Sequence, residues 1–324
     1  MPREVSPIEV GYWLSSEEHG PKELVAHAVR AEQAGFRAAM ISDHFHPWVR
    51  AQGQSPFVWS VIGGIAEATA VLRIGTGVTA PIIRMHPVIV AHAAATVATM
   101  LDGRFFLGLG TGERLSEHVT GERWPAATER RTMLEEAVQV IRALFDGGNV
   151  NHRGEHYRVE NAQLFTRPTV PPLILLAVGG PKSAALAGEI GDGMIGVAPS
   201  PRTVQAFEAA GGSGKPRVGQ LHVCWAQDEE AARGIVHRYW PNGALKGGAL
   251  TDLARPKDFE TGLELASRDS IVSGIVCGTS EQQHIDALGT FASAGFTEVY
   301  VHQIGPDQDG FFNFYEDRVL PKFC

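Results

Sequence analysis

Short apolar segments alternate with longer amphipathic segments along almost the whole chain. In the first such unit, an apolar run at residues 8–13 leads into a helix-period segment at residues 22–34, and Gly35 follows. A glycine just after the last periodic residue commonly ends a helix. Strands that alternate with helices lie parallel, because each helix carries the chain back to the same edge of the sheet. The pattern therefore predicts a parallel α/β fold.

This unit recurs along the chain and predicts eight strands. An open, doubly wound sheet is one alternative, but it usually carries a glycine fingerprint straight after its first strand, and the segment from Gly11 to Ser15 does not match it. Eight parallel strands favour a single (β/α)8 barrel, or TIM barrel, over residues 1–324, a length that such barrels reach as one domain. The predicted strands are residues 8–13, 38–42, 74–79, 105–110, 173–178, 194–197, 217–225 and 298–302.

Two segments interrupt the repeat. Residues 149–172 contain a polar, turn-rich stretch and a proline-rich exit, which together predict a β-hairpin insertion. Residues 239–257 are rich in glycine and proline and predict an irregular loop insertion. Loops of this length in a compact domain often bind a ligand or close over it.

Composition limits the partners that such a barrel can take. The formal net charge of −8 argues against a general nucleic-acid or anionic-membrane surface, which needs a basic face. No apolar run approaches the roughly 18 residues of a membrane helix. The three cysteines, Cys224, Cys277 and Cys324, have no metal-type spacing. We therefore expect a cytoplasmic protein whose partner is a small molecule.

The second predicted strand ends in the segment Ser42-Asp-His-Phe-His-Pro-Trp48. Barrel enzymes place their reactive groups at these C-terminal strand ends. His44 is suited to take a proton from a substrate hydroxyl, and Asp43 is a natural partner for orienting its ring. Trp48 can stack on a flat cofactor. The alternatives are that Asp43 caps the next segment and that His44 and Trp48 only pack.

The fourth predicted strand ends in the segment Phe106-Leu-Gly-Leu-Gly-Thr-Gly-Glu113. Its glycines let the backbone approach a ligand closely, so that Glu113 would point into a site. An exposed or helix-capping Glu113 is the alternative. Two further glycine-rich turns, at residues 75–79 and 177–182, can present backbone N–H groups to a phosphate or can be plain βα turns.

Other kinds of chemistry have weaker support in the sequence. His44 and His46 are two residues apart, and His152 and His156 lie in the polar hairpin, so neither pair matches a zinc helix motif. There is no G-x-S-x-G motif for a nucleophilic serine. We expect neither a metal ion nor covalent catalysis.

Taken together, these motifs resemble the luciferase-like superfamily of flavin and deazaflavin oxidoreductases, and within it the F420-dependent glucose-6-phosphate dehydrogenase branch. The resemblance covers almost the whole chain. It implies a (β/α)8 barrel with insertions, usually a homodimer, that holds coenzyme F420 at the C-terminal ends of the strands. The motifs that carry it are residues 42–48, 75–79, 106–113, 177–181 and the tail at 311–321.

The resemblance also implies roles for individual residues. His44 would be the base that takes the substrate hydroxyl proton, Glu113 the acid near the deazaflavin ring nitrogen, and Trp48 a wall beside the reacting centre. A non-prolyl cis peptide is implied between Gly77 and Val78. The cofactor would be held by Asp43, Thr76, Gly77, Val78, Thr111, Gly112, Ala177, Val178, Gly179 and Gly180.

The substrate pocket departs from this branch of the superfamily. Glucose-6-phosphate dehydrogenases of this type place two lysines and an arginine where alignment puts Ser200, Thr261 and Ser273. A phosphate dianion is poorly held without cations. Lys246, Arg255, Lys257 or Arg268 are the possible substitutes. The substrate classes left open are a neutral sugar, a sugar phosphate and a secondary alcohol.

Two other functions fit part of the pattern. An FMN-dependent luciferase-like monooxygenase would bind FMN in place of coenzyme F420 and would consume oxygen. A non-catalytic flavin-binding barrel would not need His44 or Glu113 at all. The combination of His44, Trp48 and Glu113 favours a dehydrogenase that transfers a hydride between a CH–OH carbon and the deazaflavin.

Overall fold

The computed structural model describes residues 8–323, so the predicted domain limits at 1 and 324, and Cys324 itself, lie outside the described residues. Strands and helices alternate along this part of the chain. The strands are β1 Glu9–Leu14, β2 Ala38–Ile41, β3 Arg73–Thr76, β4 Phe105–Leu109, β5 Val150–Arg153, β6 Arg158–Ala162, β7 Ile174–Val178, β8 Gly193–Gly196, β9 Arg217–Cys224, β10 Val276–Cys277 and β11 Glu298–Gln303. The α-helices are α1 Pro21–Gln33, α2 Val58–Ala68, α3 Pro87–Met100, α4 Arg114–Glu117, α5 Ala127–Asp146, α6 Pro181–Ile190, α7 Pro201–Phe207, α8 Glu229–Tyr239, α9 Gly248–Asp252, α10 Pro256–Leu263, α11 Arg268–Val272, α12 Glu281–Ser293 and α13 Gln308–Phe314.

Eight parallel strands close into a barrel. Their order is β9, β11, β1, β2, β3, β4, β7 and β8, and β8 pairs with β9 to complete the ring. These eight strands overlap the eight that the sequence predicts, and the predicted TIM barrel is confirmed. The two-residue strand β10, which the sequence did not predict, pairs with the C-terminal end of β9. All eight strands end at the same mouth of the barrel.

Helix α1 illustrates why the helices form where the sequence predicts them. Pro21 stands in its first turn, and the side chain of Glu23 accepts a hydrogen bond from the backbone N–H of Gly20 at 2.7 Å. Leu24 and two alanines that follow at helical spacing are buried against the barrel. Gly35 follows with φ of 94°, a conformation that glycine adopts without a Cβ clash. The helix therefore returns the chain to the start of β2.

The strands pack on both of their faces. One apolar cluster lies inside the barrel and includes Trp13, Met40, Phe106 and Tyr300. A much larger cluster lies between the strands and the surrounding helices. This two-sided burial is typical of parallel sheets, and it fixes the strand ends rigidly enough to position a site.

The two segments that interrupt the repeat contain regular structure. Strands β5 and β6 form an antiparallel pair within residues 149–172. Residues 239–257 contain a 3-10 turn, Pro241–Ala244, followed by α9 and the start of α10. Pro241 and Pro256 occupy first-turn positions, where a missing N–H costs no hydrogen bond. The prolines therefore begin short helices here, and the segment is not irregular throughout. We call residues 241–272 the cap.

Within residues 8–323, no helix combines the length and the apolar character needed to cross a membrane.

Candidate active site

The loops that follow β1, β2 and β4 bring carboxylates and a histidine together at the mouth of the barrel. Glu17 belongs to the β1 loop, His44 to the β2 loop and Glu113 to the β4 loop. Nδ1 of His44 lies 2.5 Å from Oε1 of Glu17, and Nε2 of His44 lies 3.6 Å from Oε2 of Glu113. The imidazole is thus held between two carboxylates that come from different strands.

Glu17 is oriented by hydroxyl groups behind it. Its Oε2 accepts hydrogen bonds from the hydroxyls of Ser15 at 3.0 Å and Ser42 at 2.7 Å, which leaves Oε1 for His44. The Glu17 side chain is 1% exposed and that of Glu113 is 31% exposed. Glu17 therefore fixes the ring from the protein side, whereas Glu113 stands at the open side of the site.

The two carboxylates control the protonation of His44. Burial alone would lower the pKa of His44, but the charge of Glu17, with hydrogen bonds that the ring donates to Glu113 and Glu17, raises it to about 10. Burial alone would likewise raise the pKa of Glu17, but the His44 imidazolium lowers it to about 2. At neutral pH the pair therefore consists of an imidazolium and a carboxylate.

Trp48 packs edge-on against His44, with the ring centroids 5.0 Å apart. On its other side it contacts Phe259 of the cap, with the centroids 5.3 Å apart. Phe259 is fully buried, and it packs with Val49 and Leu115 into a small apolar cluster. Trp48 therefore joins the histidine to the cap and forms an apolar wall beside it.

Asp43 has its carboxylate occupied by protein groups. It accepts hydrogen bonds from the Thr79 hydroxyl at 2.7 Å and from the Arg84 guanidinium at 2.8 Å. Arg84 also donates its backbone N–H to Glu117 at 2.8 Å. Burial, with Glu113 and Asp43 nearby, raises the pKa of Glu117 to about 7 in spite of Arg84. Asp43 is thus a buried member of an ion-pair network and not a partner for the His44 ring.

Strand β3 ends in the predicted non-prolyl cis peptide between Gly77 and Val78, which the structure contains. Thr76 is fully buried, and its hydroxyl donates to the carbonyl of Gly108 at 2.7 Å, so that it ties β3 to β4. Gly77 and Val78 are partly accessible. A Cβ on Gly77 would come within 2.6 Å of the Trp13 ring, so only glycine fits there.

The predicted residues on β4 and β7 lie beside this turn. Thr111 and Gly112 are partly accessible, and Gly112 has φ of 65° with Glu117 packed against it. Ala177, Gly179 and Gly180 are accessible at the end of β7, whereas Val178 is buried. A Cβ on either Gly179 or Gly180 would meet no atom within 4 Å, so the backbone there borders open space.

These accessible stretches form one surface. β3, β4 and β7 are neighbours in the barrel, and their ends present glycine-rich backbone at residues 77–78, 111–113 and 177–180. Residues 179–180 also precede α6, whose N-terminus favours an anionic group such as a phosphate. The surface fits a flat ring system that carries a phosphate-bearing tail. Within residues 8–323, no group of three or more His, Cys, Asp and Glu side chains is arranged to hold a metal ion.

Sequence reasoning missed the β1 loop. Glu17 and Glu18 follow the first strand after two serines, and an acidic pair near a strand end was the signal that could have found them. Glu18 serves a second histidine, because its Oε2 lies 2.7 Å from Nε2 of His302 on β11. His302 in turn contacts His222 of β9. These contacts join residues that are 284 and 80 positions apart, so no local pattern reveals them.

Comparison with known proteins identifies relatives of this chain. The luciferase-like monooxygenase family model matches residues 5–298. The chain is 34% identical to the F420-dependent glucose-6-phosphate dehydrogenase of Nakamurella multipartita, over 98% of this chain and 96% of that protein. It is 35% identical to the F420-dependent hydroxymycolic acid dehydrogenase of Mycobacterium tuberculosis, over 97% and 88%.

A solved structure resembles the whole barrel. It is an F420-dependent secondary alcohol dehydrogenase in complex with an F420-acetone adduct, with a TM-score of 0.91 and 29% identity over 98% of this chain and 100% of that chain. The F420-dependent tetrahydromethanopterin reductase of Methanopyrus kandleri shares the fold, with a TM-score of 0.77 at 22% identity.

Proposed function

Because the chain belongs to the luciferase-like monooxygenase family, we propose that it is an F420-dependent oxidoreductase of the dehydrogenase type. It transfers a hydride between a CH–OH carbon of a small molecule and coenzyme F420. The observation that carries the proposal is the His44 imidazole held between Glu17 and Glu113 beside the glycine-rich strand ends. The named relatives, which depend on F420 and act on hydroxyl-bearing substrates, support it.

Coenzyme F420 would lie on the backbone surface formed by the ends of β3, β4 and β7. Gly77, Val78, Thr111 and Gly112 would border its ring, because their backbone is accessible at the mouth of the barrel. Ala177 to Gly180 would meet its phosphate-bearing tail at the start of α6. Asp43, Thr76 and Val178 would support this surface from its buried side, since all three are buried. When bound, the deazaflavin supplies the carbon that exchanges a hydride with the substrate.

His44 would move the proton of the reacting oxygen. In carbonyl reduction its Nε2–H gives a proton to the carbonyl oxygen, and in alcohol oxidation the neutral ring takes that proton back. Glu17 stabilises the imidazolium, so the acid form is the resting form. Glu113, 3.6 Å away and half open to the mouth, is the second proton-transfer group. Trp48 keeps water from one side of the His44 ring.

The charges of the site favour a neutral substrate over a sugar phosphate. Glu113 stands at the mouth, Glu17 and Glu18 are buried behind it, and in residues 8–323 none of them is ion-paired with a lysine or arginine. The His44 imidazolium is already paired with Glu17, and the buried guanidinium of Arg84 is occupied by Asp43 and Glu117. A phosphate dianion would meet repulsion here.

The positions that replace the phosphate-binding cations do not supply a positive charge. Ser200 caps α7 by accepting a hydrogen bond from Thr203 N–H. Thr261 is exposed on the cap, and Ser273 is exposed directly after it. Among the substitute cations, Arg255 is paired with Asp258 within α10, and Arg268 lies 3.9 Å from Glu230. We infer that the substrate is an uncharged alcohol or ketone.

The test is side-by-side binding of coenzyme F420 and FMN, followed by turnover of the better binder with neutral alcohols, sugars and glucose 6-phosphate. We expect tight F420 binding and loss of its visible absorbance with a neutral alcohol. Preference for FMN with oxygen uptake would replace this proposal with a monooxygenase. Binding without any turnover would leave a flavin-binding barrel.

We also propose that the protein is a cytoplasmic homodimer. The support for the dimer is the exposure of four large apolar side chains on and around α2 and α3: Phe57, Val71, Ile89 and Met100. We propose that they form one apolar patch, since a contiguous patch of this kind marks an interaction surface.

A further inference from the structure

A second carboxylate–histidine array lies beside the first. Glu18, adjacent in sequence to Glu17, has its Oε2 2.7 Å from Nε2 of His302, and its Oε1 accepts the N–H of Gly305 at 2.9 Å. Nδ1 of His302 lies 2.9 Å from Nδ1 of His222. The array therefore runs from the β1 loop through β11 to β9, across three neighbouring strands.

His222 and His302 point into the barrel. Val218 and Tyr300 belong to the interior cluster, and side chains alternate along a strand, so residues 222 and 302 share their face. Both histidines come near the ends of their strands. The Glu17 carboxylate contributes to the pKa of His222, so the two arrays interact electrostatically. The second array thus borders the same mouth as His44.

The contacts determine where the protons reside. A carboxylate only accepts, so Nε2 of His302 carries a proton toward Glu18. When each ring carries a single proton, Nδ1 of His302 holds a lone pair and accepts from the Nδ1–H of His222. Burial and the neighbouring His302 lower the pKa of His222 to about 3, so His222 is neutral. Its last nitrogen, Nε2, then has a free lone pair.

That lone pair has no protein partner. Within residues 8–323, Nε2 of His222 makes no hydrogen bond, and it is not among the enclosed polar atoms that lack one. His222 is partly accessible, although His302 is fully buried. Trp240 covers one side of both rings, with centroid distances of 5.2 and 4.4 Å. Because the ring lies on the inner face of the barrel near the C-terminal end of β9, we infer that this accessible nitrogen faces the mouth.

We propose that His222 is a specificity-determining residue whose Nε2 accepts a hydrogen bond from a second hydroxyl group of the substrate. This inference rests on the proposed function and narrows it to neutral alcohols that carry a further hydroxyl. Glu18 and His302 are positioning residues, because they fix the tautomer of His222 without reaching the mouth. A substrate with one hydroxyl would leave the acceptor unpaired, and such a mismatch costs affinity.

The first experiment uses nitrogen NMR of the full-length protein labelled with 15N-histidine, with His222→Asn to assign the resonance. We expect a neutral ring protonated on Nδ1, and a shift of Nε2 when trans-cyclohexane-1,2-diol is added to the F420-loaded protein but not when cyclohexanol is added. A protonated Nε2, or an Nε2 that the diol does not move, would overturn the proposal. A diol-dependent shift of the Nε2 resonance without any turnover would support the hydrogen bond from the diol to His222 and would reject the proposed dehydrogenase function.

The second experiment compares kcat/KM for the same two alcohols. We expect the protein to prefer the diol by about tenfold or more, as hydrogen-bonded recognition allows, and His222→Phe to bring the ratio close to one. His237→Phe, at an exposed histidine of α8, should keep the ratio. An equal loss for both alcohols in His222→Phe would mean that the residue only packs, and would contradict the proposal.

Discussion

At the scale of single residues, the protonation of His44 depends on the side chain that contacts its ring and not on the residue beside it in the sequence. The sequence placed Asp43 beside this histidine, but the Asp43 carboxylate is bound to Thr79 and Arg84. The carboxylate that contacts the ring is Glu17, which comes from another strand end. Because a buried carboxylate favours the imidazolium, the Glu17–His44 pair predisposes the site to donate a proton to a carbonyl oxygen.

Replacing His44 with glutamine should separate chemistry from cofactor binding. His44→Gln removes the proton-transfer group, so we expect kcat for carbonyl reduction to fall by about 10²–10⁴-fold. The Kd for F420 should stay within about threefold, because the predicted cofactor surface lies on β3, β4 and β7. Stopped-flow absorbance and fluorescence titration measure the two quantities. His118→Gln, at a histidine outside the His44 pair, is the control, and an unchanged kcat in His44→Gln would refute the assigned role.

Removing the charge of Glu17 should move the pH profile. Glu17→Gln takes away the strongest charge that raises the pKa of His44, so the alkaline limb of carbonyl reduction should shift from near pH 10 to lower pH. Alcohol oxidation, which needs the neutral ring, should gain activity near pH 8 relative to the parent protein. A pH profile identical to that of the parent would show that another group titrates.

The same pair should contribute to stability in a defined pH range. The pKa of His44 is raised from 6.5 to about 10, so its contribution is complete below pH 6.5 and is lost as the pH rises through about 10. The pKa of Glu17 is lowered from 4.5 to about 2, so its contribution is complete above pH 4.5 and is lost as the pH falls through about 2. Denaturant unfolding of the parent and His44→Gln should differ most between pH 4.5 and 6.5. A difference independent of pH would contradict this linkage.

At the scale of elements, the barrel depends on close approaches that glycine alone permits. Strands β3 and β4 are joined by the Thr76 hydroxyl, which donates to the carbonyl of Gly108. A Cβ on Gly108 would lie 1.9 Å from the Thr76 carbonyl oxygen, a backbone atom that cannot rotate away. The glycines of the β4 motif therefore have a structural role as well as a place beside the cofactor surface.

A methyl group at Gly108 should be poorly tolerated. We expect Gly108→Ala to lower the free energy of unfolding by about 3 kcal/mol or to prevent folding, because the added atom overlaps the backbone of β3. Gly289→Ala is the matched control: this glycine lies within α12, and a Cβ there would meet no atom within 4 Å. That variant should be neutral or slightly stabilising. Chemical denaturation measures both, and equal stabilities would disprove the close approach.

How well the sequence predicted a feature depended on whether that feature rests on local or on distant contacts. Apolar periodicity predicted all eight barrel strands, because each strand is buried on both faces and therefore reads as an apolar run. The cap helices α9 and α10 were missed, since glycine and proline at their ends mimic a loop. Glu17, His222 and His302 were missed because their contacts join different strands, which no local sequence pattern reveals.

At the scale of the whole molecule, the barrel divides its mouth into three neighbouring regions. The ends of β3, β4 and β7 present open backbone, the loops after β1 and β2 present the Glu17–His44 pair, and β9 and β11 present the second array. The cap lies against Trp48 through Phe259. The outside of the barrel carries the proposed apolar patch on and around α2 and α3.

The proposed dimer should depend on that patch. We expect light scattering to give twice the mass of one chain, and Ile89→Lys combined with Met100→Lys to give a monomer, because two buried charges at an interface are costly. Leu265→Lys, at an apolar residue that is 94% exposed on the cap, is the control and should stay dimeric. A double variant that remains dimeric would locate the interface elsewhere.

The adjacency of Glu17 and Glu18 has a consequence for how such enzymes diversify. Glu17 contacts His44, the proposed proton-transfer residue, and Glu18 contacts His302, which positions His222. An insertion or deletion in this loop would therefore disturb the reaction and the substrate preference together. A substitution at position 222 would alter only the preference, since the proton-transfer pair does not include it. Laboratory evolution toward new alcohols should therefore accumulate changes on β9 and in the cap, while the β1 loop stays unchanged.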